Sequence, residues 1–593
     1  MGKMTKKVAA IVERNKCHPD KCQHECIKYD PINRSGKGEG FHIGPHGKAE
    51  IFDEVVSEIH RISANKCPFE AIHIVKLPQK LENPLHKYGQ NAFELYSLPL
   101  IKENTIVGII GRNGIGKSTA LNILSGNLKP NLGNFKGESE EENILNYFAK
   151  THLKDYFRKL FDKKIKVAYK PQRVELIPSM YKGSVINLLE KHDDKKLADE
   201  LLKELDLSEI KNHDISKISG GELQRVAIIA SLIKDSDVIY LDEPASFLDI
   251  TYRIKVAKLI REFAKNTSTL VVEHDLATLD YISDEIQIAY GEHACYGVFS
   301  QSKGVRRGIN EYLDGYLPDE NIRFRDYKID FSIPQIQALK SEVLASFPGF
   351  EKSYEKFRLK VNEAEFKKSQ VLAVMGSNGL GKTTFLKILA GIESPDNTKI
   401  EPLSISYKPQ YIEVIDGTIE EHLRKVSGSL FDSGWYQQNI LEKLNLKPIM
   451  KNEINFLSGG ELQKFYVALT LSRDSKIMAF DEPSAFIDTE DRLKVAEVIK
   501  EFTQKKEVST VVVDHDIQFI DYIADSMLVF EGIPSKEGNV YGPLTKKDGM
   551  NKVLKNLGIT YRKDKTTFRP RINKPQSQVD EQQKKNEEYY LVS

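Results

Sequence analysis

Cysteine is scarce in these 593 residues: there are five, of which Cys17, Cys22, Cys26 and Cys67 lie near the N-terminus and Cys295 stands alone as a small core residue. So few thiols exclude a disulfide-stapled scaffold, and a cluster at one end of a reduced chain points to a metal. Long apolar runs are missing too. No stretch approaches the roughly 20 residues needed to cross a bilayer. Residues 1–12 have too short an apolar core for a secretory signal, and Lys6 stands where a myristoylation signal needs Ser or Thr. Charge of either sign is not in excess: 86 Lys and Arg against 85 Asp and Glu leave +1. Contact with nucleic acid must therefore come from local patches. No long heptad run and no long charged linker are present. The expectation is a cytoplasmic chain, too long for a single core.

What is present centres on Gly111-Arg112-Asn113-Gly114-Ile115-Gly116-Lys117-Ser118-Thr119, a phosphate loop of the G-x-x-x-x-G-K-[ST] form. It follows an apolar run, 106–110, that reads as a buried strand, and leads into 120–124, which reads as a helix; that context gives the motif its meaning. Glycines let backbone N–H groups surround phosphate oxygens, and the helix N-terminus adds partial positive charge. Lys117 would reach the outer phosphates and Ser118 would ligate Mg²⁺. Tyr88 and Phe93 upstream are candidates either for stacking on a base or for the core. Within 134–164, Ile144, Leu145, Phe148, Leu153, Tyr156, Phe157, Leu160 and Phe161 recur at helical spacing, which predicts two short amphipathic helices.

The series then repeats. After the first loop come Tyr169-Lys170-Pro171-Gln172, Ser219-Gly220-Gly221-Glu222-Leu223-Gln224, a strand ending in Asp242-Glu243-Pro244, and a strand ending in Glu273-His274. The second copy is Gly376-Ser377-Asn378-Gly379-Leu380-Gly381-Lys382-Thr383-Thr384, Tyr407-Lys408-Pro409-Gln410, Ser458-Gly459-Gly460-Glu461-Leu462-Gln463, Asp481-Glu482-Pro483 and Asp514-His515. The interval from Ser219 to Asp242 equals that from Ser458 to Asp481. Only the interval from Lys to Gln is longer in the first copy, and the excess falls on 134–164, which is therefore an insertion.

Five motifs in this order, twice over, resemble the ATP-binding cassette family. The resemblance implies an α/β fold: two tandem nucleotide-binding domains of the P-loop NTPase type plus a small α+β ferredoxin-like N-terminal domain. It implies ATP hydrolysis with Mg²⁺ at two sites. Asp242 and Asp481 would hold the metal through water, with Ser118 and Thr383 as ligands. Glu243 and Glu482 would polarise the attacking water, Gln172 and Gln410 would sense it, and His274 and His515 would contact the γ-phosphate. Each signature (Ser219 with Gly221, Ser458 with Gly460) would face a nucleotide held by the other cassette, so that one monomer pairs its own halves.

Two further stretches, 307–326 and 568–574, are similar to the hinge elements of the E subfamily, the ribosome-recycling ATPases also called RNase L inhibitor. The insertion occupies the place of that subfamily's helix–loop–helix. The implied partners are the ribosome, chiefly its small subunit and rRNA, with release or rescue factors and initiation factors. Expected boundaries are 1–78, 79–300, a hinge at 301–345, 346–545, and a C-terminal hinge element and polar tail at 546–593. An F-subfamily-like translation regulator and a non-hydrolysing ribosome-bound scaffold are the alternatives.

The N-terminal region departs from the subfamily, which carries two ferredoxin-like runs of four cysteines. Here Asp30 precedes Pro31 where Cys belongs, and Ser57, His60 and Ser63 stand at the ligand positions before Cys67-Pro68. In two-cluster ferredoxins the fourth Cys of each run ligates the other run's cluster. Cys17, Cys22, Cys26 and Cys67 are thus the complete set for one [4Fe–4S] cluster, and the other set is vacated. A Cys₄ zinc site and a metal-free domain remain open. Phe41, Ile43, Ile51, Val55 and Ile59 are expected to pack the vacated half.

Overall fold

The computed structural model describes residues 8–591 apart from 37, 79–80, 82, 138, 333–341, 401–402 and 565. Residues 1–7, where the N-terminal signal was sought, and 333–341 of the expected hinge lie outside the described residues. The chain forms two compact units, Met1–Leu248 with Lys255–Lys328, and Asp249–Ile254 with Ile329–Ser593. Among the described residues no helix is long and apolar enough to cross a membrane.

In the first unit Ile106–Ile110 is buried at every position, as a strand covered on both faces must be. It lies between Ser268–Val272 and Glu285–Glu292, with Val238–Asp242 and then Val167–Lys170 beyond the former. These five strands run parallel. The register sets Asp242 beside Val272 and Val272 beside Ile109. The segments that leave their carboxyl ends, carrying Gly111, Gln172, Glu243 and His274, therefore emerge along one edge, where open α/β sheets bind ligands. The second unit repeats this order with Ile405–Lys408, Ile477–Asp481, Ser509–Val513, Val371–Met375 and Ser526–Ile533.

The insertion forms two helices, Glu141–Tyr147 and Leu153–Phe161. Ile144, Phe148, Leu153 and Phe157 enter the core of the first unit, and Phe148 stacks on Phe157 at 4.9 Å between centroids. Lys150 and Arg158 stay exposed.

The N-terminal region pairs Val8–Val12 antiparallel with Ile72–Lys76 and adds three short helices, Glu25–Lys28, Pro31–Ser35 and Arg61–Ala64. Asn91 holds it to the sheet: its side chain accepts from Ile51 N at 2.8 Å and donates to Ala10 O at 3.0 Å.

One expectation is corrected, and the arginines of the hinge-like stretches are held within the fold. Arg307 bonds Glu311 and Asp319, each at 2.6 Å, and Arg325 is buried against the carbonyls of Leu313 and Tyr327. Arg569 is fully buried, and Arg571 lies 3.7 Å from Asp564. The end of the chain, read as a polar tail, is folded. Helix Gln578–Lys585 is capped by Ser577, and Tyr590–Leu591 pairs parallel with Tyr561–Lys563. Tyr590 is buried, with its hydroxyl donating to Asp521. One non-local aromatic anchor outweighs the polar composition around it.

Candidate nucleotide sites and thiol cavity

Each phosphate loop ends at the head of a helix, Lys117–Leu124 or Lys382–Leu389, with the preceding glycine at φ +89°. A Cβ on Gly116 would come within 2.5 Å of the Phe93 ring, and one on Gly381 within 2.9 Å of Phe357; glycine is required by both the angle and the space. Lys117 Nζ donates to the carbonyls of Gly111 and Arg112 at 2.8 and 2.7 Å. Lys382 Nζ donates likewise to Gly376 and Ser377 at 2.9 and 2.7 Å. Burial pushes the Lys382 ammonium down to about 8.

On the metal side, Thr383 Oγ1 donates to Asp481 Oδ2 at 2.8 Å. Asp242 is fully buried, and neither carboxylate oxygen accepts a well-formed hydrogen bond. Burial pushes its carboxyl up to about 6, against the lowering effect of the Ser118 hydroxyl. A buried carboxylate beside a loop hydroxyl is a hard oxygen set that fits Mg²⁺.

The two glutamates share one geometry. Each sits at φ +48°, the left-handed region that non-glycine residues seldom adopt. Gln172 Nε2 donates to Glu243 Oε1 at 2.8 Å and Gln410 Nε2 to Glu482 Oε1 at 2.8 Å. His274 Nε2 and His515 Nε2 each lie 3.4 Å from the same oxygens. Burial pushes both carboxyls up, but the neighbouring histidine and the phosphate-loop lysine outweigh it and hold each at about 2. Both carboxylates are ionised at neutral pH.

Ser219 and Ser458 cap the helices Gly220–Leu232 and Gly459–Leu471, each in a reciprocal capping box with Glu222 or Glu461. A Cβ on Gly221 or Gly460 would come 3.1 or 3.0 Å from the carbonyl oxygen of Phe247 or Phe486. Of the two upstream aromatics, Tyr88 is exposed with its hydroxyl 3.1 Å from Thr119 Oγ1, while Phe93 lies beneath the loop. Tyr354, exposed with its hydroxyl donating to Glu393, and Phe357, beneath the second loop, stand in the corresponding places. Sequence reading missed the second pair because its spacing differs; alignment on the loop glycine would have found it.

In the N-terminal domain Cys17, Cys22, Cys26 and Cys67 line one cavity with Ile43 and Phe69. Burial, and then the charge of the other three, pushes the Cys26 thiol up to about 12; burial raises the remaining three. Ala49 N donates to Cys17 Sγ at 3.5 Å. Four soft donors around one cavity fit an iron–sulfur cluster. Among the described residues no three His, Cys, Asp or Glu side chains meet as ligands of a single ion would.

The vacated set is a polar knot. Asp30 accepts from Ile32 N at 2.9 Å, Asn33 N at 3.1 Å and Ser63 Oγ at 3.2 Å, and lies 3.7 Å from His60 Nε2. All three side chains are buried. Gly40 leaves room for it, since a Cβ there would be 2.0 Å from Asp30 Oδ1. Of the apolar residues expected to fill this half, Phe41 and Ile51 are buried but Ile43 and Ile59 are exposed. Apolar packing alone does not close the gap; a satisfied carboxylate does.

The geometry agrees with known proteins. The ABC transporter family model matches residues 100–246 and 359–485, and one described as a possible Fer4-like domain in RNase L inhibitor, RLI, matches 9–38. An uncharacterized ABC transporter ATP-binding protein of Methanocaldococcus jannaschii is 44% identical, covering 98% of this chain and 97% of its own. The Saccharomyces cerevisiae translation initiation factor RLI1 is 40% identical over 98% of both chains. A solved assembly of ribosome-bound archaeal Pelota and ABCE1 contains a chain that is 43% identical, with TM-score 0.92, covering 99% of this chain and 100% of that one. This chain is therefore an ATPase of the RNase L inhibitor family, the E family of ATP-binding cassette proteins.

Proposed function

We propose that this protein splits ribosomes into subunits after termination or stalling, with ATP-driven closure of its cassettes supplying the work, and that it acts again at initiation. The reading is carried by the extent of the likeness: nearly the whole chain matches relatives named as a translation initiation factor and as ribosome-bound ABCE1, and 86% of it matches an archaeal ribosome recycling factor in complex with the stalk protein aP1.

In this reading Gly111, Asn113, Gly114, Gly116, Lys117 and Thr119, with Gly376, Asn378, Gly379, Gly381, Lys382 and Thr384, cradle the phosphates of two ATP molecules. Ser118 and Asp242, and Thr383 and Asp481, would hold Mg²⁺, which would supply positive charge beside the phosphoryl group. Glu243 and Glu482 orient water and accept its proton; Gln172 and Gln410 fix their carboxylates. His274 and His515 contact the γ-phosphate, and Ser219, Gly221, Ser458 and Gly460 present signature donors. One chain suffices, its own cassettes pairing. Cys17, Cys22, Cys26 and Cys67, set around one cavity, would hold one [4Fe–4S] cluster. The insertion contacts small-subunit rRNA. The boundaries at 78, 300, 345 and 545 belong to the same proposal. Sedimentation of purified ribosomes with the protein, ATP and a release factor tests it: free subunits are expected, and intact ribosomes with bound protein would contradict it.

A further inference from the structure

Each strained glutamate turn is gripped by buried charged residues that no step above uses. Lys170, almost wholly buried, donates from Nζ to the carbonyl of Asp242 at 2.8 Å and to that of Glu243 at 3.0 Å. Gln224, fully buried in the signature helix, donates to the same Glu243 carbonyl at 2.8 Å and to Pro244 O at 3.0 Å. From the opposite side Glu273 accepts from Ala245 N at 3.0 Å, and from its own chain neighbour His274 N at 2.9 Å. The turn Asp242-Glu243-Pro244-Ala245 thus has a buried ammonium on its carbonyls and a buried carboxylate on its amide.

The second unit repeats the arrangement with different atoms. Lys408 Nζ donates to Asp481 O at 2.9 Å and to Pro409 O at 3.1 Å. Asp514 accepts from Ser484 N at 3.1 Å and from Ser484 Oγ at 2.8 Å. A buried charge costs several kcal/mol unless it is hydrogen-bonded, so two such charges at one turn, in both copies, need a reason. The φ of +48° at Glu243 and Glu482 supplies it. A left-handed non-glycine residue is strained and persists only where its surroundings over-determine it.

We infer that Lys170 with Glu273, and Lys408 with Asp514, are positioning residues that hold the general-base glutamate in its strained conformation, aimed at the attacking water. They touch neither substrate nor metal; they act through the backbone of Asp242–Glu243 and Asp481–Glu482. The inference rests on the general-base reading of those glutamates. A carboxylate displaced by about 1 Å loses up to a hundredfold in rate while the nucleotide, held by the phosphate loop, still binds.

The test uses the full chain carrying Lys170→Gln with Lys408→Gln, and separately Glu273→Gln with Asp514→Asn in case the lysine variants fail to fold, with thermal unfolding as the folding check. The expected result is a fall in kcat of about ten- to a hundredfold, with ATP affinity, measured by direct binding, within a few-fold of wild type. Added to Glu243→Gln with Glu482→Gln, the same changes should slow turnover no further, because the group they position is already disabled. Wild-type kcat in folded lysine and acid variants overturns the inference while leaving the general base in place, as does an undiminished further loss in the Gln background. Wild-type turnover by Glu243→Gln with Glu482→Gln overturns the general-base reading and this inference with it.

Discussion

The cassettes carry one set of motifs twice with matching geometry, whereas the two sets of candidate ligand positions in the N-terminal domain differ. In the cassettes each Gln–Glu contact is 2.8 Å, each His–Glu contact 3.4 Å and each glutamate φ +48°. In the N-terminal domain four thiols line a cavity, while the other positions include a knot around Asp30 with its oxygens satisfied. The contrast separates two kinds of buried polar cluster. The four thiols face an opening, and the Asp481 carboxylate meets the hydroxyl of the phosphate loop. Asp30 is instead bonded by the backbone amides that follow it and by Ser63. Burial alone does not distinguish them; where the hydrogen bonds go does.

The first prediction strikes at the symmetry of the cassettes. Glu243→Gln and Glu482→Gln should each slow their own site by about two to four orders of magnitude with ATP binding intact. Single-turnover hydrolysis measures this, and a variant as fast as wild type would show that the matching geometry does not mean matching chemistry. The next concerns the knot. Asp30→Ala strips the acceptor from Ile32 N, Asn33 N and Ser63, and should cost the N-terminal domain about 2–4 kcal/mol. Hydrogen exchange in 8–76 reads this directly; unchanged protection would mean the knot bears no load. The smallest effect is expected at the insertion, where the cassettes differ. Charge reversal of Lys150, Lys154 and Arg158 should weaken ribosome binding and flatten its dependence on salt, the slope falling by about one for each phosphate that is no longer neutralised. ATPase activity without ribosomes should not change. An unaltered salt slope would make the segment a solvated decoration.

The edge that carries the candidate site was legible because each of these residues follows a strand of recognisable pattern, so that chain order alone places Gly111, Gln172, Glu243 and His274 along it. The insertion was legible for a similar reason: local periodicity set its buried face. What escaped depends on pairings remote in sequence. Nothing near Lys170 shows that it is buried under Glu243. Tyr590 sits in a polar stretch and becomes an anchor only because Tyr561–Lys563 and Asp521 lie against it. The loss of one ligand set could be read from Asp30, Ser57, His60 and Ser63, but what replaced it could not. Hydrophobic patterning proposes apolar filler, whereas the backbone amides after Asp30 supply the donors that make a buried carboxylate stable.

The claim that one set of candidate ligand positions holds a cluster and the other does not is tested most directly by metal content. Protein purified without oxygen should contain about four iron atoms and about four acid-labile sulfides per chain, the complement of one cluster on four thiols. Eight of each would contradict the account, since the Asp30 knot would then have to open to hold a cluster. Zinc without sulfide, or no metal, would contradict it from the other side.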